Sequence, residues 1–150
     1  MISEPGPYDD VMMDHIRNAR NYFVPHDANH KATGSNPLCG DDLTIYLTIV
    51  RDRIEDIAFQ CTCCGISMAS ASIMTEMIKG KDTAAARPLL RAFVALLNTN
   101  NAMSLPEVIS EQLAILKTIQ KFPSRVRCAV LPWSTLEGAL DNLQGAVFVR

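Results

Sequence analysis

The sequence predicts an α+β fold in which a small antiparallel sheet of about three strands packs against helices. Residues 42–50, DLTIYLTIV, alternate apolar and polar side chains, which is typical of a half-buried strand. Residues 54–59 resume the alternation after a short polar break, so the two segments are predicted to form an antiparallel hairpin. From residue 66 onward, apolar residues recur every three or four positions, which is the spacing of helices.

The other elements follow from periodicity and from turn residues. Residues 8–23 have helical spacing and end before Pro25, and residues 25–37 are polar and turn-rich, so a loop is predicted there. Helices are predicted over 66–78, which ends at Gly80, over 84–97, and from Ser104 to about residue 121, where a capping box marks the start. A last helix is predicted to open at Pro132.

Length and charge limit the classes of function. The 150 residues fit a single domain covering 1–150, and the net charge of −2 gives no electrostatic case for binding nucleic acid or an anionic membrane. The acidic start, MISEPGPYDD, lacks the features of a signal peptide, and no apolar run reaches membrane-spanning length. We therefore expect a cytoplasmic protein, in which the five cysteines point to metal or reactive thiols rather than to disulfides.

The cysteines lie at three predicted element boundaries. Cys39 lies in the loop NPLCGDD, Cys64 closes a cluster just before a helix, and Cys128 precedes the last predicted helix. Asp41 adds an oxygen ligand, and the helix start beside Cys64 favours its thiolate. Three thiolates and a carboxylate would close a tetrahedral zinc site, although the spacing alone is also compatible with unrelated buried thiols and a surface carboxylate.

Four segments carry a resemblance to a known family: MDHIRNARN, NPLCGD, IEDIAFQ with the following CGISMASASIMTEMIKGK, and KFPSRVRCAVLPWSTLE. Together they resemble the IscU/NifU-N iron–sulfur cluster assembly proteins, and more closely their SufU branch. The long segment between Cys64 and Cys128 and the presence of Arg127, where IscU-type scaffolds have histidine, favour the SufU branch. The resemblance implies an IscU/SufE-like fold.

The resemblance also implies a ligand set and a function. Cys39, Asp41, Cys64 and Cys128 match the positions that bind zinc in SufU proteins. These proteins are zinc-dependent sulfurtransferases that accept persulfide sulfur from a SufS-type cysteine desulfurase and serve downstream iron–sulfur assembly proteins. Cys39 matches the sulfur-accepting catalytic thiol, which a desulfurase histidine displaces from zinc. The alternative is a scaffold that assembles and transfers a [2Fe–2S] cluster at the same residues.

Cys61 and Cys63 depart from the family pattern, which has glycine at the position of Cys63 and often at that of Cys61. We interpret them as small apolar fillers, because free cysteine is among the most buried residue types. The alternative is an auxiliary thiol that relays sulfur, moves onto the metal or oxidises with Cys64. Of the other candidate residues, we expect a structural role for His15 and a packing role for Trp133.

Overall fold

The computed structural model describes residues 10–37, 40–99, 123–142 and 146–148. Its elements lie in the following order: α1 (Asp10–Arg17), β1 (His30–Asn36), β2 (Asp41–Val50), β3 (Arg53–Thr62), α2 (Gly65–Ile78), α3 (Thr83–Thr99), α4 (Pro123–Leu140) and β4 (Ala146–Phe148). The predicted helices over 66–78 and 84–97 are confirmed as α2 and α3. The helix predicted from Ser104 to about residue 121 lies outside the described residues.

The sheet has the strand order β3-β2-β1-β4. β1, β2 and β3 are antiparallel neighbours, which confirms the predicted three-stranded antiparallel sheet packed against helices. β4 extends this sheet as a strand parallel to β1. Alternate residues of β2 face the core, where Leu43, Ile45 and Leu47 are almost fully buried.

The predicted hairpin of β2 and β3 is confirmed. Val50 pairs with Arg53, so the turn between the strands consists of Arg51 and Asp52. Both turn residues have positive φ, 53° and 62°, as a two-residue type I′ turn requires. The turn therefore forms without the Asn-Gly or Asp-Gly pair that is typical of type I′ turns.

The prediction of a loop over residues 25–37 is wrong for its second half, because residues 30–36 form β1. The inward positions of this strand carry small or polar side chains, Ala32, Gly34 and Asn36, instead of the β-branched residues that mark strands. A Cβ on Gly34 would meet Thr135 Oγ1 of α4, so the close approach of the helix requires these small residues.

Helix α1 ends at Arg17, six residues before the predicted end at residue 23. The chain leaves the helix because its next polar groups bond to other elements: the Arg20 N–H donates to Ser72 Oγ, and the carbonyl of Asn21 accepts from the Phe59 N–H. The expected structural role of His15 is confirmed. Its buried ring lies 2.8 Å from Ser72 Oγ, and burial lowers the pKa of His15.

The prediction that the last helix opens at Pro132 is also wrong, since α4 begins at Pro123 and contains both Cys128 and Pro132. A proline inside a helix leaves the carbonyl four residues earlier without its N–H donor, and here that carbonyl belongs to Cys128. Trp133 is the expected packing residue. It is fully buried and stacks on Phe93 at 3.9 Å between ring centroids.

Helix α2 lies at the centre of the molecule, with eleven buried residues spread around its circumference. It packs against α1, α4 and β3. Among the described residues, none of the helices has both the length and the apolar character that crossing a bilayer requires.

The close packing of β1 on α4 predicts that Gly34→Ala lowers the free energy of unfolding by about 1–3 kcal/mol, because the added methyl group meets Thr135. Urea unfolding followed by circular dichroism measures this loss. Adding Thr135→Ala to the same chain removes the closest atom, so the two changes together should cost less than the sum of the single changes. A Gly34→Ala variant as stable as the parent would contradict this account of β1.

Candidate metal centre

Three of the predicted ligands meet in one place. Asp41 begins β2, Cys64 is the residue before the first turn of α2, and Cys128 lies in α4. One ligand atom from each lies within 4.8 Å of the other two. Tetrahedral zinc with bonds of about 2.0–2.3 Å separates its ligand atoms by about 3.5–3.8 Å. Small side-chain adjustments would therefore bring all three donors onto one ion.

Asp41 anchors the start of α2. Asp41 is 2% exposed, and its Oδ1 accepts a hydrogen bond of 2.9 Å from the backbone N–H of Cys64. Its other oxygen lies 3.7 Å from Cys64 Sγ. One carboxylate thus holds the backbone of Cys64 and also stands beside its sulfur.

Ser67 is a site residue that the sequence analysis missed. Its hydroxyl lies 2.9 Å from the carbonyl oxygen of Cys128 and 3.1 Å from Asp41 Oδ2, and it also lies 3.7 Å from Cys64 Sγ. Ser67 donates to the carbonyl of Cys128, to which Pro132 has no N–H to donate. The signal was available in the sequence, as a proline four residues after a candidate ligand.

A second serine repeats this arrangement one turn along α2. Ser70 Oγ donates to the carbonyl of Ala129 at 2.6 Å and accepts a hydrogen bond of 3.1 Å from Trp133 Nε1. Ser67 and Ser70 are both fully buried, so their hydroxyls depend on these partners. The two bonds fix the spacing of α2 and α4, and therefore of Cys64 and Cys128.

The surroundings of Cys64 favour its thiolate. Hydrogen bonding from Cys128 is the largest cause that lowers the pKa of Cys64 to about 6, with further hydrogen bonds from Ser67. Burial and the nearby carboxylate of Asp41 act in the opposite direction. The position before the first turn of a helix adds a favourable backbone dipole.

The site therefore places the buried carboxyl group of Asp41 beside Cys64, whose lowered pKa favours the thiolate. Within the described part of the chain, the ion pairs of lysine, arginine and histidine involve other carboxylates and not Asp41. A buried carboxylate beside a thiolate is costly unless a positive charge compensates it. A bound cation would supply this positive charge.

The remaining predicted ligand, Cys39, lies outside the described residues. The residues around it, Asn36 and Asp41, are paired across β1 and β2, and the Gly40 N–H donates to the carbonyl of Asn36 at 2.9 Å. Arg127 is exposed on α4 beside Cys128. Its guanidinium carries only donors and so cannot act as a metal ligand.

The interpretation of Cys61 and Cys63 as separate apolar fillers is wrong, as is the expectation that the thiols avoid disulfides. The two residues form a disulfide with a Cα–Cα distance of 5.4 Å, and both are partly exposed. The sequence did not predict this pairing, because residues two positions apart in an extended strand are separated by about 6.6 Å, more than the 5.4 Å between these two Cα atoms. The chain leaves β3 after Thr62, which frees Cys63 to turn toward Cys61.

Comparisons with known proteins agree with one another. The sequence profile of the NifU-like N terminal domain matches residues 7–129. The zinc-dependent sulfurtransferase SufU of Bacillus subtilis is 35% identical over 141 residues, covering 92% of each chain. The iron–sulfur cluster assembly scaffold protein IscU 1 of Archaeoglobus fulgidus is 43% identical over 88 residues, covering 59% of this chain and 58% of its own.

A solved structure supports the same family. The crystal structure of a putative iron–sulfur cluster assembly scaffold protein for the SUF system from Fervidobacterium islandicum superposes with a TM-score of 0.81. It is 29% identical, and the match covers 89% of this chain and 96% of that one.

The environment of Cys64 predicts that, in the metal-free protein, iodoacetamide alkylates this residue with a midpoint near pH 6, because the thiolate is the reacting form. Cys128→Ala removes the main stabilising hydrogen bond and should raise the midpoint. Cys128→Ser keeps a donor and serves as the matched control. Mass spectrometry of the tryptic peptide 54–79 measures the rate, and an unchanged midpoint in Cys128→Ala would contradict this assignment.

Proposed function

Because the chain belongs to the NifU-like N-terminal domain family, we propose that it is an iron–sulfur cluster assembly protein that accepts sulfur from a cysteine desulfurase at a zinc site. Cys39, Asp41, Cys64 and Cys128 are the proposed zinc ligands, and Cys39 is the proposed sulfur acceptor. The name of the Bacillus subtilis relative, a zinc-dependent sulfurtransferase, supports this activity over almost the full length of the chain.

The observation that carries the proposal is the convergence of Asp41, Cys64 and Cys128 within 4.8 Å. These donors fit zinc, which binds thiolate sulfur and carboxylate oxygen. When bound, zinc keeps the coordinating thiols deprotonated at physiological pH. The chain's own contribution is to hold the thiolate of Cys64 and the carboxylate of Asp41 together in a partly buried pocket.

Each residue has a distinct part in the proposed site. Cys64 and Cys128 are held by the bonded pair of helices and serve as the fixed ligands. Asp41 is the harder and more exchangeable ligand, since zinc prefers thiolate sulfur in closed structural sites. Cys39 comes from the short connection between β1 and β2. A thiolate released from this set is a nucleophile ready to attack a desulfurase persulfide.

A scaffold that assembles a [2Fe–2S] cluster at the same residues is the second candidate. The relatives named as IscU scaffolds favour it, and thiolates suit iron–sulfur clusters as well as zinc. The exposed Arg127 favours the sulfur-accepting function, since it occupies the position beside Cys128 where a scaffold would need a further ligand.

The proposed partners are a SufS-type cysteine desulfurase and the iron–sulfur assembly proteins that use its sulfur. We place this exchange in the cytoplasm, where the sequence led us to expect the protein. The formal net charge of −2 offers little attraction to nucleic acid or to an anionic membrane, in keeping with protein partners.

The proposed ligand set predicts about one zinc per chain in the purified protein and no cluster absorption in the visible range. Cys64→Ser should weaken zinc binding at least about tenfold, because the ligand itself is lost. Thr62→Ala changes an exposed neighbour and should bind zinc like the parent. Elemental analysis and chelator competition measure both. Iron with a visible absorption band in the parent would favour the scaffold instead.

The proposed acceptor predicts that Cys39→Ala abolishes stimulation of the desulfurase, because the receiving thiol is missing. Alanine formation from cysteine measures the stimulation, and persulfide labelling shows whether sulfur has reached the chain. Thr62→Ala is again the control. A Cys39→Ala variant that stimulates the desulfurase normally would remove Cys39 from the proposed role.

A further inference from the structure

The disulfide between Cys61 and Cys63 is a second sulfur centre that the proposed zinc site does not use. It lies where β3, an edge strand of the described sheet, passes into the N-terminus of α2. Both residues are partly exposed, so small thiols and sulfur compounds can reach the pair.

This disulfide is poorly suited to a structural role. Cross-links stabilise a fold chiefly by restricting the unfolded chain, and the restriction grows with the length of the closed loop. The present loop separates its cysteines by only two positions, so it restricts the chain little. In the cytoplasm, where we expect this protein, disulfides are usually transient and catalytic. A redox-active pair accounts for these properties better than a structural cross-link.

The pair lies against the metal centre. Cys63 is bonded directly to Cys64, whose N–H donates to Asp41 Oδ1 at 2.9 Å. In the sheet, Asp42 of β2 pairs with Thr62 of β3. Asp41 directly precedes Asp42, and the two cysteines of the disulfide lie on either side of Thr62. The pair is therefore adjacent in the chain to Cys64, one of the proposed ligands of the metal centre.

The two cysteines differ in how firmly they are held. The backbone of Cys61 is bound on its outer side by Tyr22, whose hydroxyl donates to the Cys61 carbonyl at 3.1 Å and lies 3.3 Å from its N–H. Its sulfur lies 4.0 Å from Met68 Sδ on α2. Cys63 follows the last residue of β3 and belongs to the connection to α2. Cys61 is thus the fixed partner, and Cys63 is the member next to the centre.

We propose that the reduced pair, Cys61 and Cys63, is a built-in reductant that converts sulfane sulfur delivered to the metal centre into sulfide. This inference rests on the proposed function only for the source of that sulfur. Iron–sulfur clusters contain sulfide, whereas a desulfurase delivers sulfur at the level of a persulfide, so two electrons must be supplied between the two states. The oxidation of two thiols to one disulfide supplies them.

The step balances in atoms and electrons. The Cys63 thiolate attacks the outer sulfur of a persulfide, R–S–SH, and a persulfide forms on Cys63 while the thiol R–SH is regenerated. The Cys61 thiolate then attacks the inner sulfur of that new persulfide, which forms the Cys61–Cys63 disulfide and expels HS⁻. Together, R–S–SH and two thiols give R–SH, one disulfide and H₂S. A dithiol reductant of the thioredoxin class returns the pair to its reduced state for another turnover.

The test is a single turnover of the full-length, zinc-loaded protein. The chain is reduced with a phosphine, freed of reductant under nitrogen, and given a desulfurase with one equivalent of cysteine. Released sulfide is measured as methylene blue. Alkylation under denaturing conditions follows, and the tryptic peptide 54–79, which carries Cys61, Cys63 and Cys64, is weighed. The reduced peptide takes three alkyl groups, and the peptide with the oxidised pair takes one.

The proposal expects about one sulfide per reduced wild-type chain and conversion of the peptide from three alkyl groups to one. Cys61→Ser should accept sulfur but release about tenfold less sulfide, and sulfur should accumulate on Cys63, where the peptide gains the mass of one sulfur atom. The double variant Cys61→Ser with Cys63→Ser should release equally little and gain no such mass. Thr62→Ala, between the two cysteines, should behave as wild type.

Failure of this inference can be told apart from failure of the proposed function. If wild type and the double variant load equal persulfide and release equal sulfide, the pair is not a reductant, and the sulfur-accepting function stands. If neither wild type nor any variant accepts sulfur from the desulfurase, the proposed function fails. The inference is then tested with glutathione persulfide as the sulfur donor in place of the desulfurase. Reduced wild type should then still release more sulfide than the double variant, with oxidation of the pair, and equal release would overturn the inference.

Discussion

The absence of a backbone donor at Pro132 is the constraint on which the metal centre depends. Pro132 has no N–H to donate to the carbonyl of Cys128, and the hydroxyl of Ser67 donates to that carbonyl at 2.9 Å. The same hydroxyl lies 3.1 Å from the carboxylate of Asp41. One buried serine therefore joins α4, α2 and the first residue of β2, the three elements that hold the proposed ligands Cys128, Cys64 and Asp41.

The carboxyl group of Asp41 and the thiol of Cys64 determine the chemistry of this site. Asp41 is nearly inaccessible, and its carboxyl group lies 3.7 Å from the sulfur of Cys64, whose pKa is lowered to about 6. A pocket of this kind favours a cation and holds its thiols in the reactive form. The demand for a metal arises from how the fold places these groups, since neither residue alone would require one.

The four cysteines among the described residues fall into two adjacent groups with different chemistry. Cys64 and Cys128 take no part in a disulfide and lie beside Asp41, whereas Cys61 and Cys63 are joined to each other. The strand-to-helix junction separates these groups by a single peptide bond. Metal binding and two-electron sulfur chemistry can thus operate side by side without competing for the same thiols.

The sequence by itself determined the elements whose periodicity comes from burial on one face, namely the β2–β3 hairpin, α2 and α3, and the resemblance supplied the ligand positions. Only the tertiary structure decided that β1 is a strand, that α4 runs through Pro132, and that Cys61 pairs with Cys63. In each case the structure depends on a residue that is distant in sequence, or on a local geometry that propensity and spacing do not predict. Thr135 requires the small residues of β1, Ser67 replaces the donor that Pro132 lacks, and the end of β3 lets two same-face thiols meet. The local sequence pattern predicts which side of an element is buried. Contacts between segments that are distant in sequence determine which residues pack against that side.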